Sequence, residues 1–367
     1  MKVLFDHQIF TNQKFGGISR YFYELINRFD GVDNSYEVTS LLSNNEYYNK
    51  NVNPKVKSFF HKQEFKGKIR IQSLINKMCS IKQLNNKNFD VFHPTYYNPY
   101  FLKKLKNKPF VLTFHDAINE KFGSEYPELG NDISLLKFKK TLLNKANKII
   151  AVSENTKKDI IEYYKIDHNK IEVIHLGNSI PNTNNRLPKV IEQDYILFVG
   201  NRGNYKNFIF FINSISHLLL KYKLKLICAG GGNFSREECN IFGKLKIQDI
   251  IIYKPILNDN VLVNLYQHAL FFCFPSLYEG FGIPVLESFS SQCPILLSNG
   301  GSLTEVGSDA ALYFDPKNSD SLIHAFETLV TNEYLRNELK TKGFERSKHF
   351  NWNKTFEQHM FTYKSIL

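Results

Sequence analysis

Two carboxylates with seven residues between them, Glu279 and Glu287 in Pro275-Ser-Leu-Tyr-Glu-Gly-Phe-Gly-Ile-Pro-Val-Leu-Glu287, are the side chains best placed for chemistry. Gly280 and Gly282 make the first half of this stretch a loop. Pro284 suits the first position of a following helix, where its missing N–H is no loss and its fixed φ is already helical. Glu279 then lies in the loop and Glu287 one turn into the helix. The amides of Phe281, Gly282 and Ile283 point out of the helix start, where unsatisfied donors and the positive end of the dipole attract an anion. A phosphate flanked by two acids, each able to accept hydroxyl hydrogen bonds, suggests a nucleotide carrying a polyol.

Cations that could meet such a phosphate follow another apolar run. Phe198-Val-Gly200 closes it, and Asn201-Arg-Gly-Asn-Tyr-Lys206 comes next, just before a helix. Arg202 and Lys206 could there neutralise a leaving diphosphate. Taken alone, both are simply exposed loop residues; the acidic loop at 279–287 is what favours a site. Ala229-Gly-Gly-Gly232 closes the next strand and permits close backbone approach. Near the N-terminus, Phe15-Gly-Gly-Ile-Ser-Arg20 opens a helix, and Gly16 and Gly17 could present amides to a phosphate or sugar without forming a full dinucleotide fingerprint. His115 ends a further strand; its position, not its type, separates it from a structural histidine.

These residues need elements to hold them. The first half reads as strands over 3–5, 37–42, 90–93, 110–114, 148–152 and 172–175, with helices over 19–29, 133–147 and 154–164. The second half reads as strands over 195–200, 225–229, 250–253, 270–274, 294–298 and 311–314. Its helices fall over 207–222, 258–268, 284–292 and 319–331, with a last one after Trp352. Such alternation predicts an α/β protein with parallel sheets, crossover helices and two doubly wound domains. The polar stretch 181–188, with two prolines, serves as linker. The expected domains are 1–185 and 186–350, with a C-terminal helix over 351–367. Ligands of open sheets lie beyond the carboxyl ends of the strands, which predicts binding in a cleft between the two domains.

A chain of 367 residues is comfortable for two domains, and 43% hydrophobic with 22% charged residues is a globular composition. The N-terminus runs directly into a strand, so no signal peptide is expected there. No apolar run approaches the roughly 18 residues of a spanning helix, so no membrane span is expected. The five cysteines show no paired spacing, which argues for a reducing compartment and against a disulfide scaffold or a zinc site. Cys228, Cys273 and Cys293 read as core residues.

The net charge of +12 is concentrated: 1–188 carry 29 basic against 18 acidic residues, and 189–367 carry 18 against 17. Within 50–108, fourteen basic residues face only Glu64 and Asp90. One reading is the lysine-rich bias of an AT-rich genome. The other is an anionic partner, either a leaflet of acidic lipids or a lipid diphosphate. Ile71, Leu74, Ile75 and Met78 recur at helical spacing beside Lys68, Arg70, Lys77 and Lys82, as in a basic amphipathic helix. No nucleic-acid motif accompanies the charge.

Over nearly its whole length the chain resembles the retaining glycosyltransferases of GT-B fold, of the family 4 type. The resemblance is carried by Gly16-Gly-Ile-Ser-Arg20, Thr113-Phe-His-Asp116, Ala151-Val-Ser-Glu-Asn-Thr156, Val173-Ile-His-Leu-Gly177, Val199-Gly-Asn-Arg202 with Lys206-Asn207, and Pro275 to Glu287. It implies a C-terminal domain for the nucleotide-sugar donor, an N-terminal domain for the acceptor, and a terminal helix returning to the first domain. Glu279 would face the donor sugar, Glu287 the nucleotide ribose, and Arg202 and Lys206 the diphosphate. Gly16, Gly17 and the Phe281, Gly282 and Ile283 amides would add donors, and His115 would reach the sugar. The family commonly works without a divalent metal or other cofactor, and this chain contains no Asp-any-Asp triplet. Tyr253-Lys-Pro-Ile256, the expected nucleobase wall, departs from the usual pattern. The start and the Arg202–Lys206 pattern look most like bacterial surface-polysaccharide transferases, many of which use GDP-mannose. That implies hexosyl transfer to a glycan or lipid-linked saccharide in the cytoplasm, peripheral to the inner face of the membrane. A UDP-sugar donor remains open, as do a nucleotide-sugar epimerase and a non-catalytic nucleotide-sugar or membrane-surface binding protein.

Overall fold

The computed structural model describes residues 1–29, 31, 33–49, 52–61, 63–130, 133–180 and 186–367. The chain divides into two compact units, Met1–Gly177 together with Trp352–Leu367, and Asn178–Asn351. Of the linker read at 181–188, residues 181–185 lie outside the described residues.

In the first unit the strands are β1 (Lys2–Phe5), β2 (Ser35–Val38), β3 (Val91–His93), β4 (Val111–Phe114), β5 (Lys148–Ala151) and β6 (Ile171–Val173). The second unit adds β7 (Tyr195–Val199), β8 (Lys225–Ala229), β9 (Ile251–Lys254), β10 (Phe271–Phe274), β11 (Ile295–Ser298) and β12 (Leu312–Phe314). Among the described residues the first unit holds two three-stranded sheets, β2-β1-β3 and β4-β5-β6, and the second a six-stranded sheet, β12-β11-β10-β7-β8-β9. All the strand pairs are parallel. Among the described residues an isolated parallel bridge pairs Phe92 of β3 with Phe110, the residue before β4. The helices named below are α1 (Gly17–Ile26), α2 (Lys68–Asn86), α3 (Phe208–Lys221), α4 (Arg236–Leu245) and α5 (Ile283–Ser290), with the C-terminal helix over Trp352–Lys364.

Strands buried on both faces read as unbroken apolar runs, as in β7 (Tyr-Ile-Leu-Phe-Val) and β10 (Phe-Phe-Cys-Phe). Phe208, Phe211, Ile212, Ile215 and Leu219, one face of α3, pack on Phe198, Leu226, Cys228 and Phe271. Burying each such side chain contributes about 1.5 to 3 kcal/mol. Cys228, Cys273 and Cys293 are buried and free, and burial pushes the Cys293 thiol up to about 12. The expected strand at 37–42 ends early, because beyond Val38 the backbone finds side-chain partners. Asn76 Oδ1 accepts from the amides of Leu41 and Leu42 at 3.0 and 2.9 Å.

In the first unit a buried chain of hydrogen bonds fastens the C-terminal helix to α1, β3 and β4. His359 Nδ1 lies 2.6 Å from the Thr355 carbonyl, which can only accept, so the imidazole donates there. Its Nε2 then accepts from Tyr21 Oη at 2.5 Å, leaving that oxygen to accept from Thr113 Oγ1 at 2.9 Å. Thr113 accepts from His93 Nε2 at 2.9 Å, and His93 Nδ1 accepts from Tyr363 Oη at 2.6 Å. Both histidines are therefore neutral. Burial holds His359 down to about 4, and burial, with the other histidines nearby, holds His93 well below its ordinary value.

Groups with depressed folded pKa values have their full stability above about pH 6.5 and lose it as the unfolded chain takes up protons below that value. The urea midpoint is therefore expected to fall between about pH 6.5 and 4, with His359 alone accounting for about 3 kcal/mol. A midpoint flat across this window would contradict the neutral assignment.

Candidate active site

In the second unit the sheet order reverses between β7 and β10, neighbours whose chains then run to β8 on one side and β11 on the other. Both strands deliver their following loops at their carboxyl ends, the position where open parallel sheets bind ligands. There the two loops meet. Leu277 N donates to Tyr205 O at 2.7 Å, and Lys206 Nζ sits 2.6 Å from Glu279 Oε1. Both side chains of the pair are largely buried, and Lys206 Nζ lies 5.2 Å from the ring centres of Tyr205 and Phe274.

Arg202 turns elsewhere. Its Nε donates to Glu238 Oε1 at 2.6 Å, Nη1 to Gly230 O at 3.2 Å, and Nη2 to Gly232 O and Asn233 O at 3.0 and 2.9 Å. The guanidinium also lies over Phe234, 4.8 Å from the ring centre. Burial pushes the Glu238 carboxyl up, but hydrogen bonds from Arg202 and from Ser235 outweigh it and hold the group below its ordinary value. Glu238 also closes a capping box with Ser235 at the start of α4. Arg202 thus fastens the loop after β8 to the loop after β7. Gly230, Gly231 and Gly232 all have left-handed φ, at 78, 72 and 79°, and a Cβ on Gly231 would come 2.6 Å from Gly200 O. Ile256, from the expected nucleobase wall, borders this loop, 3.3 Å from where a Gly230 Cβ would lie.

Gly282, with φ of 92°, caps α5; Ile283 takes the first helical position and Pro284 the second, one residue later than the spacing predicts. Phe281 packs edge-on against Phe350, with ring centres 5.8 Å apart. Glu287 is buried one turn into α5, where Oε2 accepts from Tyr266 Oη at 3.2 Å. The two acids of the motif therefore sit in different settings, Glu279 against a cation and Glu287 against a hydroxyl.

The sequence reading missed the loop that holds Glu279 in place. Asn299-Gly-Gly-Ser302 leaves β11 at its carboxyl end, and Ser302 donates to Glu279 O through both its amide, at 3.2 Å, and its hydroxyl, at 3.0 Å. Gly301 has φ of 63°, and a Cβ there would lie 2.7 Å from Glu279 O and 2.8 Å from Glu279 N. The signal was available: a glycine pair one residue past an apolar strand, comparable to Gly230–Gly232 after β8. Gly301→Ala is expected to cost about 2 to 4 kcal/mol through left-handed strain and overlap, and to weaken nucleotide binding by shifting Glu279. Thermal melting and a nucleotide titration on one sample check both effects.

In the first unit, Gly16 precedes α1 in extended backbone and Gly17 is the first residue of the helix. A Cβ on Gly16 would lie 2.5 Å from Gln13 Oε1. His115 follows β4, its amide donating to Tyr97 Oη at 3.0 Å and its ring edge-on to Tyr21 with centres 5.2 Å apart. Burial, with Lys139 and His359 nearby, holds it down to about 4 against the opposing pull of Asp116, so the imidazole is neutral at physiological pH. His7, which the sequence reading passed over, follows β1 in the same way. It is buried, Nδ1 lies 3.1 Å from Thr11 Oγ1, and Nε2 has no hydrogen-bond partner among the described residues.

Two parallel doubly wound units, the C-terminal helix belonging to the first, with a charged loop pair at the switch point of the second, define a GT-B glycosyltransferase. Two family profiles match end to end: Glycosyltransferase Family 4 over residues 15–178 and Glycosyl transferases group 1 over 179–346. The chain belongs to family 4, a family of retaining glycosyltransferases that use nucleotide sugars. It is 27% identical over 290 residues to O-antigen chain mannosyltransferase B of Escherichia coli, a match covering 75% of this chain and 74% of that one. Sucrose-phosphate synthase from Thermosynechococcus elongatus has the same fold, with a TM-score of 0.80 at 16% identity over 100% of this chain and 98% of the other. HepE from Anabaena, solved with UDP and glucose, superposes with a TM-score of 0.75 at 14% identity over the full length of both chains.

Proposed function

We propose that this chain moves a hexose from a nucleotide-diphosphate sugar to a glycan or lipid-linked saccharide, with retention at the anomeric carbon. The observation that carries the reading is the Lys206–Glu279 pair, 2.6 Å apart where the loops of β7 and β10 meet. A cation for phosphate and a carboxylate for sugar hydroxyls stand side by side there. The donor is GDP-mannose or a UDP-sugar. The mannosyltransferase relative supports the first, and the UDP and glucose bound to HepE support the second.

In this reading the second unit binds the donor. As the bond to phosphate breaks, the anomeric carbon becomes oxocarbenium-like and the diphosphate gains charge. Lys206 and the backbone around Phe281, Gly282 and Ile283 meet that charge, a preorganised arrangement worth about 3 to 4 kcal/mol for each donor. Glu279 orients the sugar and Glu287 the ribose, so neither acts as a nucleophile. The leaving phosphate takes the acceptor proton as the acceptor attacks on the same face. Arg202 contributes by holding the glycine loop in place. In the first unit, Gly16, Gly17 and the neutral imidazole of His115 are the groups that the family resemblance offers to phosphate and sugar. A lipid-linked acceptor would bring the chain to the inner face of the cytoplasmic membrane, which the basic segment 50–108 supports.

Incubation with a panel of nucleotide sugars and lipid-linked or free saccharides tests the reading. The expected result is free nucleoside diphosphate plus a longer acceptor. An isomerised donor, or binding without turnover, would overturn it.

A further inference from the structure

The first unit has a switch point of its own. In the sheet β2-β1-β3 the chain leaves β1 for β2 on one side and comes back to β3 on the other, so the loops after β1 and β3 part there. Open parallel sheets bind ligands in the crevice that such a reversal creates. Asp6 and His7 follow β1, and Thr95, Asn98 and Tyr100 follow β3.

The side chains of Asp6, Gln8 and Thr95 are paired at this point. The Asp6 carboxylate accepts from Gln8 N and Thr95 N at 3.3 and 2.9 Å, from Thr95 Oγ1 and Gln8 Nε2 at 2.7 Å each, and from Tyr100 Oη at 3.2 Å. Gln8 and Asn98 lock the two loops together, Gln8 Nε2 donating to Asn98 O at 3.1 Å and Asn98 N to Gln8 Oε1 at 2.8 Å. His7 Nε2 is the exception. The residue is only 3% exposed, and this nitrogen has no partner among the described residues.

The partners of His7 fix which nitrogen carries the proton. The amides of Leu41 and Leu42 donate to Asn76 Oδ1, which leaves Nδ2 to donate to Thr11 Oγ1 at 2.9 Å. Thr11 gives its hydroxyl proton to the His7 carbonyl at 3.0 Å, so toward the imidazole it can only accept. Nδ1, 3.1 Å from Thr11 Oγ1, is therefore the protonated nitrogen. Burial holds the imidazole below its ordinary value, helped by Lys77 and against the pull of Asp6. Nε2 thus carries a bare lone pair in the crevice, and a buried acceptor without a donor is costly. The imidazole lies against Tyr100 with ring centres 5.8 Å apart, and Lys77 Nζ is 5.7 Å from the centre of the Tyr100 ring. Tyr100 is half-exposed and Lys77 exposed, so these two side chains carry the cluster to solvent.

A lone pair calls for an O–H or N–H donor, and the Lys77 cation nearby disfavours a charged one. We propose that His7 anchors the acceptor, its Nε2 accepting a hydrogen bond from a neutral saccharide hydroxyl at the β1–β3 switch point as Tyr100 and Lys77 move aside. His7 takes no proton in this role; it holds the acceptor in place. That the ligand is the acceptor saccharide rests on the transfer reading, whereas the need for a neutral donor rests on the groups around β1 and β3 alone.

Nitrogen-15 spectra of the full chain labelled in its histidines test the proposal, the His7 signals being identified by their loss in His7→Asn. That substitution keeps a donor toward Thr11 and removes Nε2. The native Nε2 signal is expected at the position of a bare nitrogen. It should move toward the hydrogen-bonded position on titration with one of the methyl glycosides of mannose, glucose, galactose or N-acetylglucosamine, with UDP or GDP present. A signal that no glycoside moves, or one already at the hydrogen-bonded position because water meets it, overturns the proposal. In transfer assays His7→Asn is expected to raise the acceptor KM about tenfold and the donor KM much less. His7→Gln, whose amide oxygen reaches the place of Nε2, recovers part of the loss. An unchanged acceptor KM in His7→Asn overturns the proposal, as do equal rises in both KM values, which would mark a structural role. A native chain that transfers no sugar, yet whose His7 signal still follows a glycoside, keeps the site and sinks the transfer reading instead.

Discussion

Glu279→Gln is expected to turn over the sugar donor about 10²- to 10³-fold more slowly than the native chain, with a much smaller change in the donor KM. The substitution keeps the shape of the side chain and removes its charge. It leaves Lys206 beside an amide instead of a carboxylate at 2.6 Å. The backbone of residue 279 stays anchored, because its carbonyl is held by Ser302 whatever the side chain. The Gln amide oxygen can still accept from Lys206, so the melting temperature is expected to fall less than on truncation of the side chain, and a fall in kcat well beyond that loss can be assigned to the missing carboxylate. Native turnover by this variant would remove Glu279 from the reaction. A large loss of stability would show that the carboxylate serves mainly to neutralise Lys206.

Arg202→Ala is expected to destabilise the second unit by about 3 to 5 kcal/mol, the usual cost of removing one partner of a buried ion pair. Glu238 would lose its cation, and the carbonyls of Gly230, Gly232 and Asn233 their donor. The family resemblance gives this arginine to the diphosphate, whereas its contacts give it to the loop after β8. The two roles differ in what they predict. A residue acting through the loop lowers the melting temperature and weakens nucleotide binding, and Glu238→Gln reproduces a part of both. A residue acting on phosphate alone lowers kcat and leaves the melting curve where it was. Urea denaturation of both variants beside donor kinetics distinguishes them.

Much of the architecture was legible because the strands are buried on both faces and so read as short apolar runs between turn residues. Strands β7, β8 and β10 and the helices Glu154–Tyr164 and Ser319–Thr331 fall within a residue of where the periodicity predicts them. The strand expected at 37–42 was misplaced because its end is decided by Asn76, a side chain far along the sequence that captures two of its amides. At the site, the acids and the cations could be read singly, but their partners could not. Lys206 meets Glu279 because β7 and β10 are neighbours in the sheet, and Arg202 meets Glu238 because a glycine loop folds back between them. Strand order and loop path depend on tertiary packing, which local spacing does not encode. Helix α2 was read as basic and amphipathic; in the structure it buries Lys68, Gln72, Asn76 and Ser80 and exposes Ile71, Leu74 and Met78, an orientation set by the backbone groups of Leu41 and Leu42 that Gln72 and Asn76 satisfy.

The first unit is assembled from two separated segments of the chain, residues 1–177 and 352–367. During synthesis the ribosome therefore releases all the strands of that unit, then the whole of the second, before the helix that completes the first emerges. Until then His93 and Tyr21 lack the Tyr363 and His359 groups that satisfy them. The usual N-to-C order of maturation is thus reversed, and the later-made unit can finish first. A nascent chain stalled, or a gene truncated, before Trp352 would carry a completed second unit behind an unfinished first one.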